Sequence, residues 1–222
     1  MNFLPLALPF ILALFLILIV VAAFVEIGIL SYAYERIGVS PRFVMLFLLL
    51  TLIGSAINVP IGEIHGRTAV GGRQVSVFGM RYVVPHVAWD HTILAVNLGG
   101  AVLPTLLSLY LLWKTGLWVR GAIAVVVVAA AVHALARPVE GIGIAVPMFV
   151  PPLLAAATAL FLAPRGTAPA IAYVAGSLGT LVGADLMNLG VIGSLGAPIA
   201  SIGGAGRFDG IFLTGILAAL LA

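Results

Sequence analysis

Phe15-Leu16-Ile17-Leu18-Ile19-Val20-Val21-Ala22-Ala23-Phe24-Val25 closes an apolar run, residues 3–25, that holds no charged side chain. About 20 apolar residues suffice for a helix to cross a hydrocarbon core about 30 Å thick, so this run is long enough to span. It lacks the basic start of a secretory signal and exceeds a signal's apolar core, so it reads as a retained transmembrane helix. The rest of the chain agrees. Of its 222 residues 63% are hydrophobic and 8% charged, with a mean hydropathy of +1.28. Soluble domains carry about 25% charged residues, so this is an integral membrane protein.

Working outward, apolar stretches near 4–34, 42–59, 91–113, 117–136, 143–163, 168–187 and 208–222 predict about seven transmembrane helices. The expected fold class is an all-α polytopic membrane protein, one membrane domain over 1–222, since no Ser-rich or charge-rich linker divides it. Two features interrupt the helices. The polar segment 62–90 contains Gln74-Val75-Ser76-Val77-Phe78-Gly79-Met80-Arg81-Tyr82-Val83-Val84, two short β-rich runs around a glycine, which predicts an extramembrane hairpin. The Gly-rich stretch 190–206, with Pro198, cannot sustain an ordinary helix. Irregular backbone at membrane depth must be buried in protein or line a cavity, which predicts a re-entrant loop.

Seven spans put alternate loops on opposite sides. One face then collects Glu63, His65, His86, Asp90, His91, Arg137, Glu140, Asp185 and Asp209. The other holds Glu35, Arg36, Arg42, Lys114, Arg120 and Arg165, ordinary interfacial anchors. The uncharged start and the Arg36/Arg42 pair favour this second face as cytoplasmic, in a cell membrane, leaving the polar pole extracytoplasmic. A net charge of +3 from scattered arginines offers no nucleic-acid surface. With no cysteine, disulfides, thiolate zinc sites and cysteine catalysis are excluded.

Chemistry concentrates on Asp185, in Gly183-Ala184-Asp185-Leu186-Met187-Asn188, and Asp209, in Gly203-Gly204-Ala205-Gly206-Arg207-Phe208-Asp209-Gly210. A carboxylate at a transmembrane helix centre costs about 2.5–3.5 kcal/mol on insertion scales, which marks it as a functional candidate. Asp209 is 13 residues from Ala222 and Asp185 is 16 from Pro169. At 1.5 Å per residue those are about 20 and 24 Å of helix, so both acids fall at similar depth near one face. Facing carboxylates in low dielectric share a proton, one donating while the other activates a water. Such a dyad hydrolyses amides without metal or thiol, and Gly204 and Gly206 leave room for an extended transmembrane peptide substrate. Arg137, in Arg137-Pro138-x-Glu140-Gly141-x-Gly143, either pairs with Glu140 across a tight bend or steadies the dyad.

Other readings stay open. Asp209 occupies an N-cap position within reach of Arg207, and Asp185 could bond Asn188 one turn on. Asp185, Asn188 and Asp209 could instead hold a cation or proton in a carrier or channel, or pack inside an assembly subunit. No cofactor is required, although Glu63, His65, His86, Asp90 and His91 are of metal-ligating type and could hold a divalent ion. His133 reads as a helix-packing histidine and Glu26 as near an interface. Asn97-Leu98-Gly99-Gly100 and Asn188-Leu189-Gly190 are weakly alike, a hint of the inverted repeats of transporters. Oligomeric state is not legible.

The blocks 137–152, Gly183-Ala184-Asp185 to Gly190 and Ser201-Ile202-Gly203-Gly204-Ala205-Gly206 to Gly215 resemble an uncharacterised prokaryotic family of multi-pass membrane proteins, a domain of unknown function. More distantly, aspartates on consecutive late helices resemble presenilin-type and signal-peptide-peptidase-type intramembrane aspartyl proteases. That likeness implies Asp185 as the first catalytic aspartate and Asp209 as the second. The Gly-x-Gly-Asp of those enzymes is here two residues longer, and their Pro-Ala-Leu motif is absent from the sequence.

Overall fold

Helices form along most of the long apolar runs. A computed structural model describes residues 4–65, 74–77, 80–83, 91–139, 143–164, 166–192, 199–204 and 210–222. The helices are α1 (Leu4–Arg36), α2 (Pro41–Ser55), α3 (Leu103–Thr115), α4 (Trp118–Leu135), α5 (Val150–Leu162), α6 (Ala168–Thr180), the short α7 (Leu189–Ile192) and α8 (Gly210–Leu221). Proline at the start of α2, α3, α5 and α6 supplies a preset φ where no intrahelical N–H bond is needed. α3 stops at Gly116, whose φ of 68° is left-handed backbone that glycine adopts without strain.

By length and composition four helical segments can cross a membrane: Phe15–Arg36, Leu98–Thr115, Trp118–Leu135 and Ala168–Val191. Four of the seven expected spans thus have helices of spanning length. Pro41–Ser55, Val150–Leu162 and Gly210–Leu221 are apolar but only 15, 13 and 12 residues long. At 1.5 Å per residue they reach about 18–23 Å, short of the hydrocarbon thickness. Toward one pole two of them give way to non-helical backbone: β1 after α2, and the turn at Met148 and Phe149 before α5.

α6 is the central helix. Every residue from Ala168 to Thr180 except Leu178 is buried, and α3, α4, α5 and α8 pack around it. Small residues allow this. A Cβ on Gly176 would lie 3.1 Å from the Thr214 carbonyl oxygen, and one on Gly215 would lie 2.1 Å from the Ser177 hydroxyl. Without a hydrophobic drive between helices in lipid, such close approach supplies the packing energy. α1 lies outermost, against α2 and α8, with most of its described side chains exposed.

Seven strands accompany the helices among the described residues. β1 (Asn58–His65), β4 (His91–Asn97) and β7 (Ile199–Ile202) form a sheet in the order β1-β4-β7. β1 runs antiparallel to β4, while β4 and β7 are parallel, Ile93 opposite Ile199 and Val96 opposite Ile202. β2 (Gln74–Val77) and β3 (Met80–Val83) form the expected hairpin. β5 (Arg137–Val139) and β6 (Gly143–Ala145) also pair antiparallel, Arg137 opposite Ala145. Two expectations need correction here. The span expected from 91 is a strand as far as Asn97, with Thr92, Ala95 and Asn97 buried. His91-Thr92-Ile93-Leu94-Ala95-Val96 is as apolar as a helix, but its side chains face two different environments. The Gly-rich stretch 190–206 also holds β7, so part of it is ladder-bonded rather than free loop.

The two poles take shape as the alternating loops imply. At one, the Arg36 guanidinium donates to the Leu220 carbonyl at 3.0 Å and Arg120 to the Leu162 carbonyl at 3.0 Å, while Lys114 donates to the Gly38 carbonyl. Two of those acceptors are last-turn carbonyls of α8 and α5 that lack intrahelical partners. The opposite pole carries the sheet. Measured from Arg36, Glu26 lies ten residues back, about 15 Å along α1.

Candidate functional site

The site begins where α6 loses its regular winding. Leu181–Asp185 forms one wide, π-helical turn, and Leu186–Asn188 a tight 3-10 turn. The turn lies hard against α4: a Cβ on Gly183 would lie 2.3 Å from the Ala129 carbonyl oxygen. Only glycine lets the two backbones touch there, and the widened turn absorbs the extra residue. Such turns occur frequently at functional sites. This one ends on Asp185.

Asp185 Oδ2 accepts the Gly203 N–H at 2.8 Å, the one hydrogen bond to this carboxylate among the described residues. Gly203 follows β7 with a φ of 90°, and a Cβ there would lie 2.5 Å from the Ala101 nitrogen. Asp185 does not bond Asn188. The Asn188 amide instead donates to the Gly183 and Ala184 carbonyls at 3.0 and 2.9 Å, closing the orphan acceptors of the wide turn. It also lies 3.3 Å from Nδ1 of His133, so His133 is partnered, in keeping with a packing role.

A second polar group supports the sheet. Asn97 Oδ1 accepts the Gly100 N–H at 2.7 Å, capping a second π-helical turn, Leu98–Val102. Its amide donates to the Ser55 carbonyl at 2.7 Å and to Asn58 Oδ1 at 2.9 Å, and Ser201 donates to the same Asn58 oxygen at 2.6 Å. α2, β1, β4 and β7 are thereby tied together. Asn97 is 1% exposed, and its role was not legible beyond the Asn-Leu-Gly-Gly pattern. The likeness to Asn188-Leu189-Gly190 does not extend to structure, because Asn97 caps the start of a helix and Asn188 caps the end of one.

Of the remaining candidates, Gly204 follows Gly203 and its N–H donates to the Ser201 carbonyl at 3.2 Å. Arg137 is exposed and pairs in β5 with Ala145. Asp209, Gly206, Glu140, His86 and Asp90 lie outside the described residues. The β1–β4 register sets His65 opposite His91, with Glu63 two residues along. Among the described residues no three His, Asp or Glu come together as a metal site.

Apolar helices wrapped around a small-residue centre, with a polar sheet at one pole, define a helical membrane protein. Residues 52–221 match the family described as Protein of unknown function (DUF1614), and the chain belongs to that family. No curated protein and no solved structure matches it. The likeness to presenilin-type proteases thus gains no support from these comparisons.

Proposed function

We propose that this protein is an intramembrane aspartyl hydrolase, acting on transmembrane peptides, with Asp185 and Asp209 as its acid–base pair. One observation carries the reading: Leu181 of the wide turn and Ile211 of α8 belong to a single buried cluster with Ala101 and Ile202. α8 points its far end at Arg36 on the opposite pole, so its start and the end of the α6 line face the same way. Asp185 follows Leu181 by four residues and Asp209 precedes Ile211 by two. Asp185 thus ends the wide turn that begins in that shared layer, and the sequence brings Asp209 to the start of the helix that shares it.

Two further features fit hydrolysis. β7 has β4 as its one strand neighbour among the described residues, so its other edge can take an extended segment by strand addition. The same strand runs into Gly203, the residue bonded to Asp185, which brings such a segment beside the carboxylate. One carboxyl then protonates the leaving nitrogen while the other deprotonates the attacking water.

The test is cleavage of a labelled transmembrane-peptide library by purified protein in liposomes, with Asp185→Asn and Asp209→Asn alongside. Loss of cleavage in both, with folding retained, is the expected result. Cleavage surviving in either variant would sink the dyad. Inactive, well-folded wild type together with carboxylate-dependent ion flux would shift the assignment to a carrier.

A further inference from the structure

A different carboxylate has no role in that reading. Glu26 has no hydrogen-bond or ion-pair partner among the described residues. It lines a partly open cavity of about 210 Å³ between α1, α2 and the wide turn at Gly99 and Gly100, with Phe212 also in its wall. An ionisable residue within a membrane-spanning segment, as Glu26 is within Phe15–Arg36, ordinarily has a partner inside the protein or faces a cavity. This one faces a cavity, and its partner is not supplied by the described chain.

Two side-chain hydroxyls line the cavity beside Glu26. The Thr51 hydroxyl spends its proton on the Phe47 carbonyl at 2.8 Å, and the Ser55 hydroxyl spends its own on Leu52 at 2.7 Å. The Gly100 N–H is taken by Asn97. What these side chains offer an occupant is therefore acceptor oxygens, beside a carboxylate. The remaining wall is apolar, from residues such as Ile27, Leu48 and Leu49. A cavity of roughly 150 Å³ lined by apolar side chains already admits benzene, so this one holds a ring or short alkyl chain together with a head group.

We propose that the cavity binds a lipophilic primary ammonium, its N–H groups on Glu26 and its apolar body between α1 and α2. Charge and donor complementarity select the ammonium: a neutral alcohol of the same shape offers one proton and no charge, and an anion meets Glu26 with repulsion. Ala23 to Leu49 of the lining precede the family-matched residues 52–221, whereas Ser55, Gly99, Gly100 and Phe212 lie within them. The inference does not rest on the hydrolase reading.

The experiment measures binding of tritiated 2-phenylethylamine to the full chain in nanodiscs, with unlabelled 2-phenylethanol as competitor. Saturable binding is expected, at least ten-fold weaker in Glu26→Gln and in the cavity-filling Leu48→Trp, with the alcohol competing at least ten-fold less well than unlabelled amine. Thermal melting confirms that both variants fold, Glu26→Gln serving if Leu48→Trp does not. Equal affinity in folded Glu26→Gln, equal competition by the alcohol, or no saturable binding by folded wild type would each overturn the proposal. Because the readout is binding, failure here is distinguishable from failure of peptide cleavage.

Discussion

Asp185 has two separable jobs, and side-chain chemistry can part them. Asparagine keeps an oxygen that accepts the Gly203 N–H, so Asp185→Asn should leave stability within about 1 kcal/mol while abolishing cleavage. Asp185→Ala removes the acceptor and should cost a further ~1–3 kcal/mol in denaturant unfolding, the range for a partly buried donor left unpaired. If the two variants unfold alike, the bond to Gly203 is of no structural consequence. Asp185 was legible because a charge inside an apolar run is conspicuous. Its partner was not, since Gly203 is 18 residues away and is brought near only by β7. Glycines make the complementary prediction. Gly99→Ala and Gly183→Ala force a methyl into backbone at about 2.3 Å and should each destabilise by at least ~1–3 kcal/mol. Gly62→Ala meets nothing within 4 Å, so the same thermal-melt comparison should show little change there.

Elements were legible in proportion to how distinct their environments are. α1, α4 and α6 followed from apolar length alone. The hairpin of β2 and β3 followed from β-rich runs about a glycine. β4 did not: an apolar strand with Thr92, Ala95 and Asn97 buried has the composition of a span, and its neighbours β1 and β7 are remote in sequence. What turns strand into helix at residue 97 is a side chain. Asn97→Ala removes the cap on Gly100 and strands the Ser55 carbonyl, so it should cost ~1–3 kcal/mol by chemical denaturation. A loss below about 0.5 kcal/mol would mean that the wide turn of Gly99 and Gly100 holds itself.

At the scale of the whole molecule, the account rests on two poles. The absence of native cysteine makes this directly testable, because any introduced thiol is the sole reactive one. Single cysteines at Gly38, Gly116 and Gly166 should label from one side of sealed vesicles, and cysteines at Gly62, Pro138 and Gly190 from the other. Mixed labelling within either set would break the arrangement that brings Asp185 and the start of α8 together. Pole assignment was legible from counting spans even though three helices proved shorter than a bilayer, since a short helix continued by strand or turn still reverses the chain. The pairing across α6 and α8 was only partly legible. Depth arithmetic from Pro169 and Ala222 predicted it, while the packing of Gly176, Gly215, Leu181 and Ile211 that supports it emerged from the fold. The most direct measurement is bridging of the double variant Asp185→Cys/Asp209→Cys in membranes by a short bis-methanethiosulfonate. A shared site predicts rapid intramolecular bridging of this pair and none for Gly166→Cys/Asp209→Cys. Failure to bridge, with each thiol reacting singly, would contradict the paired-carboxylate account.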